Sequence, residues 1–419
     1  MNLRAKRSGF QSAWCHSLAG KEFCGDTHGL NAGKITNFDV VVIGAGPAGA
    51  TAALALARNG FAVGLLEKAA LPRYKTCGGG VLHRAYQLLP PETETVVERS
   101  FHSVALNFLG TDLNFVTTRP QPIVHMTMRA DLDCLLTRAA EKAGVQVIES
   151  CPVKRVNMQA EFVELVSDRE NFRAKFVIAA DGVHSVTART TGWSELPALA
   201  PALEYEIYLA DEDFARFSQQ PRFDFNAIDA GYAWVFSKRA HLSVGILSTR
   251  RVCADLPNKL ADYLRQIGLT RIQKIEKHGF LIPLAPRREP LARGRVLLVG
   301  DAAGLADPVM AEGISHALQS GRLAAAALSE CRLDVAKASA TYQSLLEQHI
   351  LPELRAGRFL AKFLYHHPKI RRAAFRAGGQ RLCEFVTDVV MGERSYREAV
   401  NQPANYLKLL GRWASRASD

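Results

Sequence analysis

The sequence predicts an α/β protein. A parallel sheet with crossover helices is interrupted by an antiparallel-sheet insertion and followed by a helical tail. Three observations lead there. Short apolar runs rich in β-branched residues recur at 37–43, 61–66, 176–180 and 295–299, each closed by Gly, Asp or Glu. The stretch 196–284 is rich in strand formers, and the chain beyond Tyr342 is rich in Leu, Ala, Arg and Lys at helical spacing.

The first element is the best defined. Asn37 to Ile43 runs into Gly44-Ala45-Gly46-Pro47-Ala48-Gly49, then an Ala/Leu-rich helix pattern stops at Gly60, and Phe61 to Leu66 ends at Glu67. This is a βαβ unit, and each glycine has a task. Gly44 permits the tight turn, Gly46 lets backbone approach a pyrophosphate, and Gly49 lets helix and strand pack closely. The helix start offers unpaired N–H groups and a positive dipole end to that pyrophosphate. Glu67, eighteen residues past Gly49, stands where an acid accepts bonds from an adenosine ribose. The unit therefore predicts a Rossmann-type dinucleotide site.

Two later strands end in aspartates. Phe176 to Ala180 closes with Asp181-Gly182, and Arg295 to Val299 leads into Gly300-Asp301. The segment Asp307-Pro308 to Gly313-Ile314 then opens a helix pattern over 315–328. A strand-end aspartate facing a helix start can accept a hydroxyl of a ribityl chain. Alone, either is an ordinary turn or cap residue.

GAGPAG with Glu67, then Asp181-Gly182, then Gly300-Asp301 resemble the FAD-binding framework of the para-hydroxybenzoate-hydroxylase-like flavoproteins over most of 37–330. Within that group, the segment Pro72 to Val81, with Cys77-Gly78-Gly79-Gly80, is similar to the cysteine-glycine loop of the geranylgeranyl reductase family. Gly231-Tyr232-Ala233-Trp234-Val235-Phe236 is similar to that family's aromatic PxxYxWxFP motif, with Asp229 and Ser237 standing where prolines are usual. The resemblance implies FAD contacts at Gly44, Gly46, Ala48, Gly49, Glu67, Lys68, Cys77, Gly78, Gly79, Arg129, Asp181, Gly182, Asp301, Gly313 and Ile314. Arg129 is included for its RxxxD pattern. Cys77, Tyr232 and Trp234 are implied as catalytic. The activity implied is reduction of carbon–carbon double bonds of a polyprenyl chain by hydride from reduced flavin, in isoprenoid lipid metabolism. The electron donor is left open between NAD(P)H and a ferredoxin-type protein. Two other readings stay open: a monooxygenase or halogenase on an aromatic substrate, for which Lys75 would carry halide, and a membrane-docked protein passing electrons to quinone.

The domain reading follows: a basic extension at 1–36, a composite FAD-binding domain from 37–195 and 285–330, a substrate sheet at 196–284, and a helical region at 331–419. The chain of 419 residues holds 52 basic and 41 acidic side chains. The excess sits at the ends, with a net +3 over 1–36 and +8 over 354–419, and the body between is neutral. That pattern speaks against nucleic acid and for an anionic surface or substrate group. The tail's mixture of Phe, Leu, Lys and Arg suits an anionic membrane or a helix capping a substrate tunnel. Lys369, Arg371 and Arg372 are the cations expected to face the lipid. Eight cysteines without a CxxC pair indicate a reducing compartment, so a cytoplasmic protein peripheral to the membrane is expected. Cys15, His16, Cys24 and His28 match no common finger spacing, and no metal site is expected.

Overall fold

The computed structural model describes residues 35–252 and 255–401. The Cys15, His16, Cys24 and His28 cluster lies outside them, as does the charge of the extension preceding Ile35. The strand Ile35–Ile43 forms the middle of an eight-stranded sheet. It pairs in parallel with Asn171–Ala179 on one side and Val63–Leu66 on the other. Beyond these lie Val296–Leu298 and Gln146–Ile148, also parallel. Val40, Val41 and Val42 are fully buried in a core where helix Pro47–Arg58 packs against the sheet and Ile314–Glu330 packs on that helix. Those two helices touch backbone to side: a Cβ on Gly321 would lie 2.3 Å from the Ala48 carbonyl oxygen.

A seven-stranded sheet stands beside it, ordered Ile272–Pro283, Leu199–Leu209, Leu242–Ser248, Gly231–Ser237, Arg222–Phe225, Ser103–Phe108, Asn114–Thr118. All neighbours are antiparallel except Arg222–Phe225 with Ser103–Phe108. The sequence reading gave 103–118 to the FAD-binding part, and the structure places those strands in this second sheet instead. A half-buried alternating strand records its period, not its partner, so the sequence could not assign it. A three-stranded sheet of Gly80–Leu82, Val124–Thr127 and Val97–Phe101 carries the end of the Cys77 loop.

The tail is helical over Val335–His349, Leu351–His366, Pro368–Met391 and Tyr396–Asn401, with a kink at Gly378. Its inner face meets one face of the seven-stranded sheet in an aromatic cluster of Phe108, Phe225, Tyr232, Trp234, Tyr365 and Phe375. Among the described residues no helix is long and apolar enough to cross a membrane.

Candidate active site

The βαβ loop is built as its glycines require. Gly44 adopts φ +101°, and a Cβ there would lie 2.4 Å from the Ala180 carbonyl oxygen. A Cβ on Gly49 would lie 1.9 Å from the Gly44 oxygen. The helix Pro47–Arg58 has Gly46 as its N-cap with no side-chain cap, and the Arg129 guanidinium lies 3.8 Å from an added Gly46 Cβ. Open N–H groups and an arginine at one helix start suit a pyrophosphate.

Glu67 is buried at the end of its strand. Its Oε2 accepts the Ala45 N–H at 2.9 Å and its Oε1 the Ala69 N–H at 3.2 Å. Arg73 pairs with Glu67 at 3.1 Å and with Asp133 at 2.9 Å. Arg129 grips the same Asp133 through two bonds of 2.8 and 2.9 Å, the RxxxD pattern closed across one helical turn. Burial works against the charges of Arg73 and Arg129, and Asp133 overcomes it, holding both arginines above their ordinary pKa. Lys68 is exposed and takes no part in this chain of ion pairs.

Two acids have capacity to spare. Asp181 accepts the Thr187 N–H and O–H on Oδ2, both at 2.9 Å, while its buried Oδ1 has no partner. Asp301 opens the short helix Gly300–Ala303, and burial pushes its carboxyl up against the pull of Lys75 and Arg129. A Cβ on Gly313, at the start of Ile314–Glu330, would lie 3.2 Å from Asp301 Oδ1. The orphaned Asp181 oxygen, the open helix start and the close glycine approach together fit the phosphates and hydroxyls of FAD.

The Cys77 loop is pinned between two sheets. The Cys77 N–H donates to Glu204 at 2.9 Å, and the half-buried thiol accepts the Gly79 N–H at 3.4 Å. Glu204 also accepts the Ser243 hydroxyl at 2.5 Å, and Ser243 accepts the Trp234 indole N–H at 3.3 Å. One buried carboxylate therefore couples the loop to the aromatic strand. Glycine is required beside it. A Cβ on Gly78 would lie 3.0 Å from Phe236, and one on Gly79 2.1 Å from both Lys238 Nζ and the Thr127 oxygen. Lys238 is buried, donates to that Thr127 carbonyl at 2.8 Å, and is pushed below its usual pKa by burial.

Tyr232, Trp234 and Phe236 alternate along Gly231–Ser237 and share one face. Gly245 on the neighbouring strand makes room for the indole, whose ring would lie 2.1 Å from an added Cβ. The Tyr232 hydroxyl donates to the Met310 carbonyl at 2.5 Å, so the residue presents its ring rather than a free acid. Arg84 fastens the 304–313 segment by bonding Asp307 at 3.0 Å, Glu312 at 3.3 Å and Ser315 at 3.2 Å. Arg73, Arg84, Asp133, Glu204 and Lys238 escaped the sequence reading. Only Asp133 carried a signal, as the acid of RxxxD.

Comparisons with known proteins agree with the fold and with a flavin cofactor. Residues 37–343 match the family model described as an FAD binding domain. The digeranylgeranylglycerophospholipid reductase 2 of Methanothermobacter thermautotrophicus is 32% identical over 321 residues, covering 71% of this chain and 80% of that protein. A geranylgeranyl bacteriochlorophyll reductase-like structure from Thermoplasma acidophilum superposes with a TM-score of 0.74 at 23% identity, covering 82% of this chain and 92% of that one. A flavin-dependent brominase shares the fold at a TM-score of 0.68 and 18% identity, covering 85% and 94%. FAD is the cofactor. The chain belongs to the geranylgeranyl reductase family of FAD-dependent oxidoreductases.

Proposed function

We propose that the protein saturates carbon–carbon double bonds of a polyprenyl lipid. The observation that carries this reading is the aromatic wall of Tyr232, Trp234 and Phe236 directly behind the Cys77 loop, packed against Gly78. An isolated alkene offers no polar handle, so flat apolar surfaces must orient it. The related reductase named for a digeranylgeranyl lipid supports the same substrate class.

In this reading Gly46, Gly49, Glu67, Arg129, Asp181 and Asp301 hold FAD. When bound and reduced, FAD supplies the hydride. Trp234 and Tyr232 turn ring faces toward the alkene, where they would stabilise positive charge at the carbon that takes the hydride once its neighbour is protonated. Cys77 orients the chain and relays that proton. The tail helices exclude water, since Tyr365 stacks over Phe225 at 6.2 Å and Tyr232 at 6.4 Å. The outer side of the tail exposes Phe359, Phe363 and Ile370 among Arg358, Lys362, Lys369 and Arg372, a composition suited to an anionic membrane from which a lipid is drawn.

Lys75 favours a second reading, halogenation or oxygenation. Its Nζ lies 3.1 Å from the centroid of Phe280, and burial, then Arg129, lowers its pKa to about 8. An amine of that pKa is partly neutral near pH 8 and could carry an oxidised halide. One anaerobic experiment separates the two. The protein is reduced until its yellow colour bleaches, then mixed with a polyprenyl phospholipid. Prenyl reduction restores the colour without oxygen. Colour that returns only with oxygen, faster with bromide and an aromatic compound, selects the second reading.

A further inference from the structure

The outermost pair of strands in the seven-stranded sheet carries a cluster that FAD chemistry does not use. Glu206 on Leu199–Leu209 lies directly opposite Glu276 on Ile272–Pro283, and His278 follows two residues on, facing the same side. One ligand atom from each of the three lies within 4.8 Å of the others. His241, just before Leu242–Ser248, brings its Nε2 to 3.9 Å from Glu206. Carboxylates directly opposite on paired strands repel each other. Exposed Lys274 pairs with Glu276 at 2.5 Å, yet among the described residues no lysine or arginine lies within ion-pairing distance of Glu206.

The two imidazoles supply an independent observation. His241 is more than nine-tenths buried, and the Nε2 atoms of both His241 and His278 are buried without a hydrogen-bond partner. Buried imidazole nitrogens are ordinarily satisfied. Lys274 serves Glu276 and the Tyr74 hydroxyl serves Glu206, yet neither donor reaches the two imidazole nitrogens, of which the His278 ring belongs to the close group and His241 approaches it through Glu206.

We propose that Glu206, Glu276 and His278, completed by His241, bind a divalent transition-metal ion of the zinc type. Two imidazole nitrogens with two carboxylate oxygens suit zinc, whereas magnesium and calcium take oxygen ligands throughout. Such an ion neutralises the facing carboxylates and satisfies both orphaned nitrogens. It also ties the site to the catalytic loop, because Tyr74, three residues before Cys77, stacks on His278 with ring centroids 4.2 Å apart.

The test uses the full-length FAD-loaded protein, stripped with chelator and dialysed against zinc alone. Zinc should bind at about one equivalent, and Glu206→Gln and His278→Gln should each weaken it at least tenfold while flavin content stays at the parent's level. A Cys15→Ser/Cys24→Ser variant should bind as the parent does, which separates this site from the amino-terminal cysteines. X-ray absorption at the zinc edge of the parent requires no variant to fold. It should show a nitrogen and oxygen shell at about 2.0–2.1 Å without the sulfur shell at about 2.3 Å that thiolate ligands give. Absence of stoichiometric binding, a sulfur shell, or unchanged affinity in both Glu206→Gln and His278→Gln overturns the proposal.

Discussion

Removing the Glu204 carboxylate tests how the Cys77 loop is held. Glu204 is 2% exposed and accepts two hydrogen bonds, one from the Cys77 N–H and one from Ser243, which in turn receives the Trp234 indole. Glu204→Ala leaves both donors buried without a partner. A hydrogen bond to a charged group contributes about 1.5–3 kcal/mol, and neighbouring losses are not additive, so a destabilisation of about 3 kcal/mol is expected. The pyrophosphate turn at Gly44–Gly49 and the acids Glu67, Asp181 and Asp301 lie on other elements, so flavin content should largely persist. Turnover should fall by more than tenfold, because the loop and the indole lose their common anchor. Glu204→Gln retains an acceptor oxygen for one of the donors and should recover part of both losses. Denaturant melts, flavin absorbance and turnover on the same preparations decide the matter. Glu204→Ala with parent-like stability and turnover would refute the reasoning, as would loss of flavin in step with activity.

Glu67→Ala should weaken FAD binding by about 2 kcal/mol, read by equilibrium dialysis, because the Ala45 N–H and Arg73 lose their shared acceptor. Trp234→Ala should keep FAD bound while turnover on prenyl lipids collapses. Equal loss of flavin and activity would make the indole a core residue only. His125, held neutral by burial with a pKa lowered to about 4, makes folding pH-dependent. The unfolded imidazole takes up its proton near pH 6.5, so stability present above that pH is lost as pH falls toward 4. His125→Gln should flatten urea-derived stability between pH 4 and 6.5. Replacing Lys362, Lys369 and Arg372 with Gln should reduce sedimentation with anionic vesicles, since each surface-proximal cation contributes about 1 kcal/mol. Parent-like sedimentation at low salt would remove the membrane proposal.

The parallel sheet and its cradle were legible because their physics is local. Val40 to Ile43 must be buried on both faces, Gly44 and Gly49 leave no room for a side chain, and Arg129 reaches Asp133 across one turn. The outcome differs where long-range packing decides. Ser103–Phe108 joins Arg222–Phe225 in parallel, a pairing more than a hundred residues apart that no pattern records. The basic tail reading put Arg371 on the lipid face. The structure buries it instead, bonded to the Leu364 carbonyl and Asn226 Oδ1 and laid against Phe108 and Phe225. A charge count cannot distinguish helix faces, whereas Phe359, Phe363 and Ile370 do emerge at the surface. Glu204 meets Cys77, and Lys238 meets Gly79, only through strand pairing, so their roles became readable with the fold.

Saturation of prenyl double bonds by reduced FAD, as proposed for this chain, leaves a direct trace in the lipid's mass. The direct measurement is mass spectrometry of a polyprenyl phospholipid after anaerobic incubation with the chemically reduced protein. Two hydrogens should be gained per double bond reduced, with parent protein active and Trp234→Ala inactive at equal flavin content. Lipid of unchanged mass, while the parent holds reduced FAD and the lipid is in excess, would contradict it.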